Sequence, residues 1–243
     1  MEKRYALFVS ILVTIVVGGN YLFFVDIFPN REIVVIERVI DGDTVELEDG
    51  RKIRLLNINT PEKNEIGYDK ALDFLKTFEG KTVELEIEGI EKYGRILGRL
   101  YYEGKYLNLE IVAGGFAHTF LVEENELNEF RKVEEEARKN GRGIWKKDEK
   151  YGCLNAEINK NEEYVILDNN CGNIEGWSIK DESTKSYYFK SIEGGKITLY
   201  SGSGVDNEEE IYWGREKVWN NDKDSIFIRN KEGGLVYYDS YGY

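Results

Sequence analysis

The chain contains very little histidine and cysteine, with one histidine and two cysteines among 243 residues. A zinc site built from Cys and His side chains needs about four ligands, so this class of metal site is excluded. A Ser-His-Asp triad would have to use His118, which has no motif around it. A lone histidine is more often structural, and His118 is interpreted as part of a half-buried strand. The sequence also lacks a GxxxxGK[ST] loop, the usual phosphate-binding motif of nucleoside triphosphatases.

Positive charge is also scarce, because 33 Lys and Arg residues face 46 Asp and Glu residues, a formal net charge of −13. Residues 31–150 carry 21 basic and 27 acidic residues, a net of −6, and residues 151–243 carry 10 and 17, a net of −7. This balance argues against a protein that binds nucleic acid through an overall positive field. Any phosphate binding must therefore be local, through particular arginines and a metal ion.

The first segment of the chain is uncharged from Tyr5 to Val25. As a helix, this run would extend about 31 Å at roughly 1.5 Å per residue, close to the thickness of the bilayer core. Lys3 and Arg4 favour an N-terminus inside the cell, with the rest of the chain outside. We therefore expect residues 1–30 to form a single-pass cell-membrane anchor. A signal peptide cut near Gly19, which would give a secreted protein, is the alternative, and a buried globular helix is disfavoured.

The two cysteines fit an extracytoplasmic compartment. Cys153 and Cys171 enclose 17 residues, a loop whose closure would stabilise the fold by on the order of 3 kcal/mol. A disulfide between them is expected, and two buried free thiols are the alternative.

Three short polar segments within sixty residues contain the chemistry-bearing side chains, each next to a predicted strand or strand-end turn. They are Asp41-Gly42-Asp43-Thr44, Arg54-Leu55-Leu56 followed by Asn59-Thr60-Pro61-Glu62, and Lys92-Tyr93-Gly94-Arg95. Carboxylates hold hard divalent cations, and arginines bind phosphate through paired hydrogen bonds. The three segments together could therefore hold a divalent cation and a phosphodiester in one pocket.

The order of elements around these segments predicts a five-stranded OB-fold barrel with helices, in residues 31–150. Apolar and β-branched residues predict five strands, at residues 33–40, 44–48, 52–58, 82–90 and 95–102. Helical periodicity predicts three helices, at residues 66–78, 107–113 and 125–139. A helix at the third connection and another at the end are expected of an OB-fold barrel.

The three motifs and this order of elements together resemble the staphylococcal nuclease (thermonuclease) family, over about residues 33–147. The resemblance implies calcium-dependent hydrolysis of DNA or RNA that leaves 3′-phosphate ends. Arg54 and Arg95 match the arginines that bind the phosphate as charge builds in the transition state. Glu62 matches the glutamate proposed to orient or deprotonate the attacking water.

The same resemblance implies a metal site and substrate contacts. Asp43 matches a direct calcium ligand, Asp41 gives nearby negative charge, and Thr60 would contribute its backbone carbonyl. Tyr93 and Lys92 match substrate-side neighbours. One calcium ion is expected for the domain.

The chain departs from the family at Asn59, where a second calcium-binding aspartate is usual. An amide still offers a carbonyl oxygen, but the site loses one formal negative charge. We expect calcium binding to be weaker by about one or two orders of magnitude, since charge count tunes affinity in such sites.

Residues 151–243 show another pattern, with many short strands separated by turn residues such as Asp168-Asn169-Asn170 and Gly194-Gly195. This pattern predicts a β-sandwich. The segments Gly176-Trp177-Ser178-Ile179 and Trp219-Asn220-Asn221 resemble the lamin-tail domain, an immunoglobulin-like sandwich. Both tryptophans are expected in its core. Its ligand, an envelope component or nucleic acid, is unidentified, and no catalytic set is visible in it.

The sequence thus predicts a mainly β protein: a membrane anchor in residues 1–30, a nuclease-like OB-fold in 31–150 and a sandwich in 151–243. The favoured function is a membrane-anchored, outward-facing, calcium-dependent nuclease. A non-catalytic nucleic-acid-binding or adaptor protein on the same scaffold is the second hypothesis. A structural envelope protein with a relic barrel is the third.

Overall fold

A computed structural model of the chain describes residues 31–91 and 93–243. The predicted membrane segment, residues 5–25, and Lys92 lie outside the described residues. No helix within the described part of the chain is both long enough and apolar enough to cross a membrane.

The first half of the molecule is a closed five-stranded barrel, as the sequence predicts. Its strands are β1 (Arg31–Asp41), β2 (Thr44–Leu47), β3 (Lys52–Leu55), β5 (Thr82–Ile90) and β6 (Ile96–Tyr102). Neighbours pair antiparallel in the order β3-β2-β1-β5-β6, and β3 closes the barrel by pairing parallel with β6. The short strand β7 (Lys105–Tyr106) pairs antiparallel with β6. A separate short pair is formed by β4 (Ile58–Asn59) and β8 (His118–Thr119).

Alternation of apolar and polar side chains explains the barrel strands. In β5, Val83 and Leu85 are buried, whereas the glutamates between and beyond them are more exposed. The buried faces form one hydrophobic cluster with the helices α1 (Tyr68–Lys76), α2 (Leu107–Ala113) and α3 (Glu124–Lys139). Helix α1 is shorter than the sequence predicts. It begins after Gly67, whose left-handed backbone (φ 99°) favours glycine.

The second half consists of two four-stranded sheets. One has the order β14-β13-β10-β9, formed by Glu210–Tyr212, Gly195–Tyr200, Tyr164–Asn169 and Leu154–Asn159. The other has the order β12-β11-β15-β16, formed by Ser186–Tyr188, Ser178–Lys180, Asp224–Arg229 and Leu235–Tyr241. The inward side chains of both sheets share one hydrophobic cluster, the arrangement of a β-sandwich. Trp177 and Trp219 are buried in it, as predicted.

The predicted disulfide between Cys153 and Cys171 is present. It joins the start of β9 to the end of β10, two adjacent antiparallel strands. The sequence did not predict strand β9. Because β9 pairs with β10, the disulfide closes a β-hairpin.

The barrel and the sandwich pack against each other through a small apolar cluster. It contains Trp145, after the last barrel helix, and Phe227 and Leu235 of the sandwich. Backbone hydrogen bonds connect Leu235 to Lys146 and Asp148 in the linker. The linker is therefore part of the contact between the two halves, which fixes the sandwich beside the barrel segment that contains Asn59, Thr60 and the residues that follow.

Candidate active site

The candidate site is built on the turn between β1 and β2, where two carboxylates flank Gly42. A Cβ atom at Gly42 would lie 2.7 Å from the Ala71 Cβ and 2.8 Å from the Thr60 Oγ1. Only glycine therefore allows the turn to pack this closely against α1 and the segment after β4. This packing brings Asp43 to Thr60, which is 17 residues away in the sequence.

The Asp43 carboxylate is buried and fully hydrogen-bonded. Its Oδ2 accepts bonds from the Thr60 backbone N–H (3.1 Å) and hydroxyl (2.8 Å). Its Oδ1 accepts the Thr44 hydroxyl (3.1 Å) and lies 3.2 Å from Nε of Arg54. These donors stabilise the ionised carboxylate and fix its orientation.

The two predicted catalytic arginines both lie close to this aspartate, one in direct contact and one through Thr44. The Arg54 guanidinium contacts Asp43 and also donates to the Leu55 carbonyl (2.7 Å) and to Oδ1 of Asn59 (3.1 Å). Nη1 of Arg95 lies 3.4 Å from the Thr44 hydroxyl, which itself donates to Asp43. The closed barrel produces this proximity, because β2 pairs with β3 and β3 pairs with β6.

Arg95 is also held by a carboxylate of its own turn. Its Nε forms a close ion pair with Glu91, four residues earlier. This hydrogen bond is the largest influence on Arg95 and raises the pKa of its guanidinium. Within the described residues, Nη2 of Arg95 makes no hydrogen bond, so it is available to an incoming anion.

Asp41 gives the site its second carboxylate. Burial, and then the nearby charge of Asp43, raise the pKa of Asp41 to about 6. Its Oδ1 accepts the Asp43 backbone N–H at 3.1 Å. Two carboxylates this close repel one another, and a cation between them would remove the repulsion.

The calcium ion that the nuclease family implies would need oxygen ligands at this turn. The donors at the turn are oxygens of Asp41, Asp43 and Thr60, the ligand type that calcium prefers. The Asn59 Oδ1 also faces the site, through its bond to Arg54. The described residues contain no group of three or more His, Cys, Asp or Glu side chains placed to hold a metal ion.

The structure gives a reason for the amide at position 59. Asn59 is buried, and its Nδ2 donates to the Glu182 backbone carbonyl of the sandwich at 3.1 Å. His118, the strand neighbour of Asn59, places its Nε2 2.8 Å from the same carbonyl. An aspartate at position 59 would have no donor for this oxygen. The amide thus serves the contact between barrel and sandwich, which sequence reasoning did not anticipate.

His118 has the structural role expected from the sequence. It is buried on β8, and burial lowers its pKa to about 3, so it is neutral at physiological pH. A neutral imidazole donates one proton, and the Glu182 carbonyl is the acceptor at hydrogen-bond distance.

Replacement of Asn59 by Asp should have two opposite effects. We expect the free energy of unfolding without metal to fall by about 1–3 kcal/mol, because the Glu182 carbonyl loses a buried donor. We expect calcium affinity to rise about tenfold, because the site regains a carboxylate. Denaturant unfolding and calorimetric calcium titration measure the two effects. Asn155→Asp, at an exposed position of β9, is the matched control. Unchanged stability would contradict the role given to the amide.

Glu62 lies at the edge of the site with an exposed side chain. Its backbone N–H donates to Oε2 of Glu65 at 2.9 Å, and the same oxygen is 2.5 Å from Nζ of Lys180 in the sandwich. The segment that contains the predicted general base is therefore connected to the sandwich through Glu65. Neither Glu65 nor Lys180 belongs to the motifs found in the sequence.

Of the two predicted substrate-side residues, Tyr93 belongs to the part of the chain that the structure describes. Tyr93 lies in the exposed turn before Arg95, with 75% of its surface accessible. Lys92 is outside the described residues. The barrel strands thus bring together Asp41, Asp43, Arg54, Asn59, Thr60 and Arg95, whereas Glu62 and Tyr93 lie on exposed segments next to them.

The side chain of Glu182 makes the stability of the fold depend on pH. Burial raises the pKa of Glu182 from 4.5 to about 7, although the Tyr243 hydroxyl and the Asn220 amide donate to the carboxylate. Asp224 and Asp181 add repulsion. The unfolded chain releases this proton near pH 4.5 and the folded chain near pH 7, so stability must fall as pH rises between these values.

We expect Glu182→Gln to remove on the order of 2 kcal/mol of this fall in the free energy of unfolding. Asp41 and Asp224, whose pKa values are raised to about 6 for the same reason, should each leave a smaller residual fall. Denaturant unfolding at pH 5 and pH 8 measures the difference. Glu175→Gln, at an exposed position, should behave like the wild type. The same slope in wild type and Glu182→Gln would rule out this assignment.

Comparison with known proteins finds similarity to the half of the chain that forms the barrel. The family described as staphylococcal nuclease homologue matches residues 52–147. This interval includes Arg54, Glu62 and Arg95 and begins after Asp41 and Asp43. A protein of Escherichia coli named as an uncharacterized endonuclease is 37% identical over 115 residues, which cover 45% of this chain and 74% of that protein.

Two further relatives extend the comparison. Endonuclease YncB of Bacillus subtilis is 29% identical over 130 residues, covering 47% of this chain and 62% of its own length. An uncharacterized protein of Methanocaldococcus jannaschii is 32% identical over 162 residues, covering 52% of this chain and 77% of its own length. Each of these similarities covers about half of the present chain.

Proposed function

The chain belongs to the staphylococcal nuclease homologues, and on that premise we propose that it is a calcium-dependent endonuclease that leaves 3′-phosphate ends. One observation carries the proposal. Arg54 and Arg95 both lie near the buried Asp43, Arg54 in direct contact with its Oδ1 and Arg95 through the Thr44 hydroxyl that donates to the same oxygen. This places two cations beside a cation-binding turn, which is what a phosphodiester needs to accept a nucleophile.

The chemistry divides among the residues by their positions. Arg54 and Arg95 donate to the non-bridging oxygens of the phosphate as negative charge builds on them. Glu62 accepts a proton from the attacking water, whose oxygen forms the new bond to phosphorus. The bond from phosphorus to the 5′ oxygen breaks, the 5′ oxygen takes up a proton from water and leaves as a hydroxyl, and the phosphate remains on the 3′ side.

The metal ion has a limited part in this account. Asp41, Asp43 and the backbone carbonyl of Thr60 would hold calcium, with the Asn59 Oδ1 as a neutral neighbour. Bound there, calcium supplies positive charge that neutralises the phosphodiester. The raised pKa of Asp41 implies that calcium binds better above about pH 6, where this carboxylate is ionised in the free protein.

The chemical nature of the product ends tests the reaction. The full chain, purified in mild detergent, is incubated with a single-stranded oligonucleotide and calcium. We expect products that a DNA polymerase extends only after phosphatase treatment, because a 3′-phosphate blocks extension. Extension without phosphatase would show 3′-hydroxyl ends and exclude the proposed bond cleavage.

A non-catalytic nucleic-acid-binding protein is the second candidate, and one observation favours it. Both oxygens of the Asp43 carboxylate are already engaged: Oδ2 accepts the Thr60 backbone N–H and hydroxyl, and Oδ1 accepts the Thr44 hydroxyl and lies 3.2 Å from Nε of Arg54. A metal ion would compete with these groups, of which Arg54 is the most distant. Binding of the oligonucleotide without cleavage at any calcium concentration would support this function over the nuclease.

The location of the protein is part of the proposal. We propose that residues 1–30 anchor it in the cell membrane, with the nuclease domain (residues 31–150) and the sandwich (residues 151–243) outside. The disulfide between Cys153 and Cys171 supports an oxidising compartment. The sandwich, which we propose to be a lamin-tail domain, would then lie beside the barrel rather than on a long tether.

A further inference from the structure

A cleft lies between the barrel and the sandwich, next to the candidate active site. It has a volume of about 170 Å³, more than one water or a simple ion requires. Thr60 lines it, and the hydroxyl of Thr60 donates to Asp43. From the sandwich, Ser178 and Asn230 contribute polar groups, and Phe227 forms part of the apolar wall. We refer to this space as the interdomain cleft.

The charge of the interdomain cleft is opposite to that of the whole protein. Its charged lining consists of Lys180, Arg229 and Lys231 against a single carboxylate, Glu65. His118, also in the lining, is neutral because burial lowers its pKa to about 3. The chain as a whole carries a net charge of −13. The cleft is thus a local positive site of the kind that an acidic protein needs to bind phosphate.

Arg229 is the residue that best indicates what the cleft would bind. Its Nη1 donates to the Gly233 carbonyl at 3.2 Å, and its guanidinium lies 5.9 Å from the centroid of the Phe227 ring. No carboxylate of the described residues forms an ion pair with it. Glu65, the nearest acidic group to act on it, is bound to Lys180.

Arg229 is half-buried, with its guanidinium partly desolvated and open to the cleft. Burial lowers the pKa of Arg229 to about 10, because its charged form is desolvated. Buried charges in proteins are normally paired. The bond to Gly233 holds Nη1, and within the part of the chain that the structure describes Nε and Nη2 make no hydrogen bond. This planar pair of donors matches two oxygens of a phosphate.

We propose that the interdomain cleft binds a phosphate group of the nucleic-acid strand, at a nucleotide beside the one that is cleaved, with Arg229 as its principal ligand. Lys231, whose side chain is 69% exposed, lies where the strand would enter. Tyr188, exposed by 64% in the lining, offers a ring for a base to stack on. This inference rests on the proposed function, since it names a further part of the same substrate.

The sandwich then has a definite role in the enzyme. Lys180, Arg229 and Lys231 belong to its β11, to β15 and to the turn that follows β15. The barrel contributes the groups for cleavage, and the sandwich contributes a phosphate subsite. A strand that contacts both halves is held across the active site rather than on the barrel alone.

Equilibrium binding in chelator tests the inference without cleavage. The full chain in mild detergent is titrated into a labelled oligodeoxythymidine of about 12 nucleotides, a length within the usual site size of an OB-fold. We expect Arg229→Gln to weaken binding about tenfold and to lower the slope of log affinity against log salt by about 0.7. Lys231→Gln should weaken binding about threefold. Lys190→Gln, at an exposed lysine elsewhere on the sandwich, should bind like the wild type.

Each outcome decides the inference. Wild-type affinity and salt slope in a folded Arg229→Gln variant would overturn it. If that variant does not fold, Lys231→Gln decides, because its exposed side chain is not needed for packing, and unchanged affinity would again overturn the inference. If inorganic phosphate competes with the probe at an affinity equal to that of the oligonucleotide, the cleft binds free phosphate instead, and the inference is overturned.

The cleavage assay separates this inference from the proposed function. An oligonucleotide that binds through Arg229 but is never cleaved would overturn the nuclease activity and not the cleft. If the Arg229→Gln variant binds and cleaves the oligonucleotide as well as the wild type, the phosphate site in the cleft is wrong and the nuclease activity stands.

Discussion

Replacement of Arg95 by glutamine is expected to lower kcat/KM for DNA cleavage by about two to three orders of magnitude, with little change in stability. Arg95 is partly exposed, and its polar partners among the described residues are Glu91 and Thr44, so its loss leaves no buried charge there without a partner. A glutamine can donate a hydrogen bond but lacks the charge that stabilises the transition-state phosphate. The loss should therefore appear mainly in kcat.

Arg38→Gln is the matched control for this prediction. Arg38 is an exposed arginine of β1 that pairs with Glu46 on β2 and, among the described residues, forms no hydrogen bond or ion pair with Asp43, Thr44 or Glu91. We expect it to retain the wild-type rate within about twofold, since a surface ion pair contributes little. Equal losses in both variants would mean that general charge, rather than the position of Arg95, supports the reaction.

Replacement of Glu62 by glutamine is expected to have an effect of the same order or larger. A general base contributes about 10² to 10⁴ to the rate, and glutamine cannot accept a proton. The Glu62 side chain is exposed, so the variant should fold normally. Steady-state rates from pH 5 to pH 9 measure the change. The variant's rate should stay below that of the wild type across this range.

Glu37→Gln controls for the loss of an acidic side chain. Glu37 lies on β1 with its side chain exposed. We expect it to keep both the rate and the pH profile of the wild type. A Glu62→Gln variant that cleaves at the wild-type rate would remove Glu62 from the mechanism, and the attacking water would need another base.

Much of the barrel could be predicted from the sequence because its signals are local. The alternation of Val83, Leu85 and Ile87 with glutamates defines β5 with the observed bounds. The helix bounded by Leu107 and Ala113 is also confirmed. The spacing of Asp43, Arg54 and Thr60 along two strands and a turn was enough to expect them together, since the strands pair in sequence order.

The contact between barrel and sandwich could not be predicted, because it joins distant residues. Asn59 and Glu182 are 123 positions apart, and the acceptor is a backbone carbonyl, which leaves no trace in the sequence. The amide at position 59 was therefore interpreted only as a weakened metal ligand. In the structure it is also a buried donor, and the two interpretations are both tested by Asn59→Asp.

Two strands of the sandwich were missed for a local reason. The segment Leu154–Asn159 contains two asparagines and an alanine, residues that are depleted in strands. The segment Glu210–Tyr212 has only three residues and pairs parallel with β13. Arg229 was not singled out either, because a lone arginine at the end of an apolar strand carries no motif.

Calcium-dependent cleavage by the full chain is the most direct test of the proposed function. The protein in mild detergent is incubated with single-stranded DNA across a wide range of calcium concentrations and with chelator, and Arg95→Gln is run alongside to exclude a contaminating nuclease. The account predicts cleavage that requires calcium, is lost in chelator and falls at least about a hundredfold in the variant. Absence of cleavage at every calcium concentration, from protein shown to be folded, would contradict it and leave nucleic-acid binding as the better account.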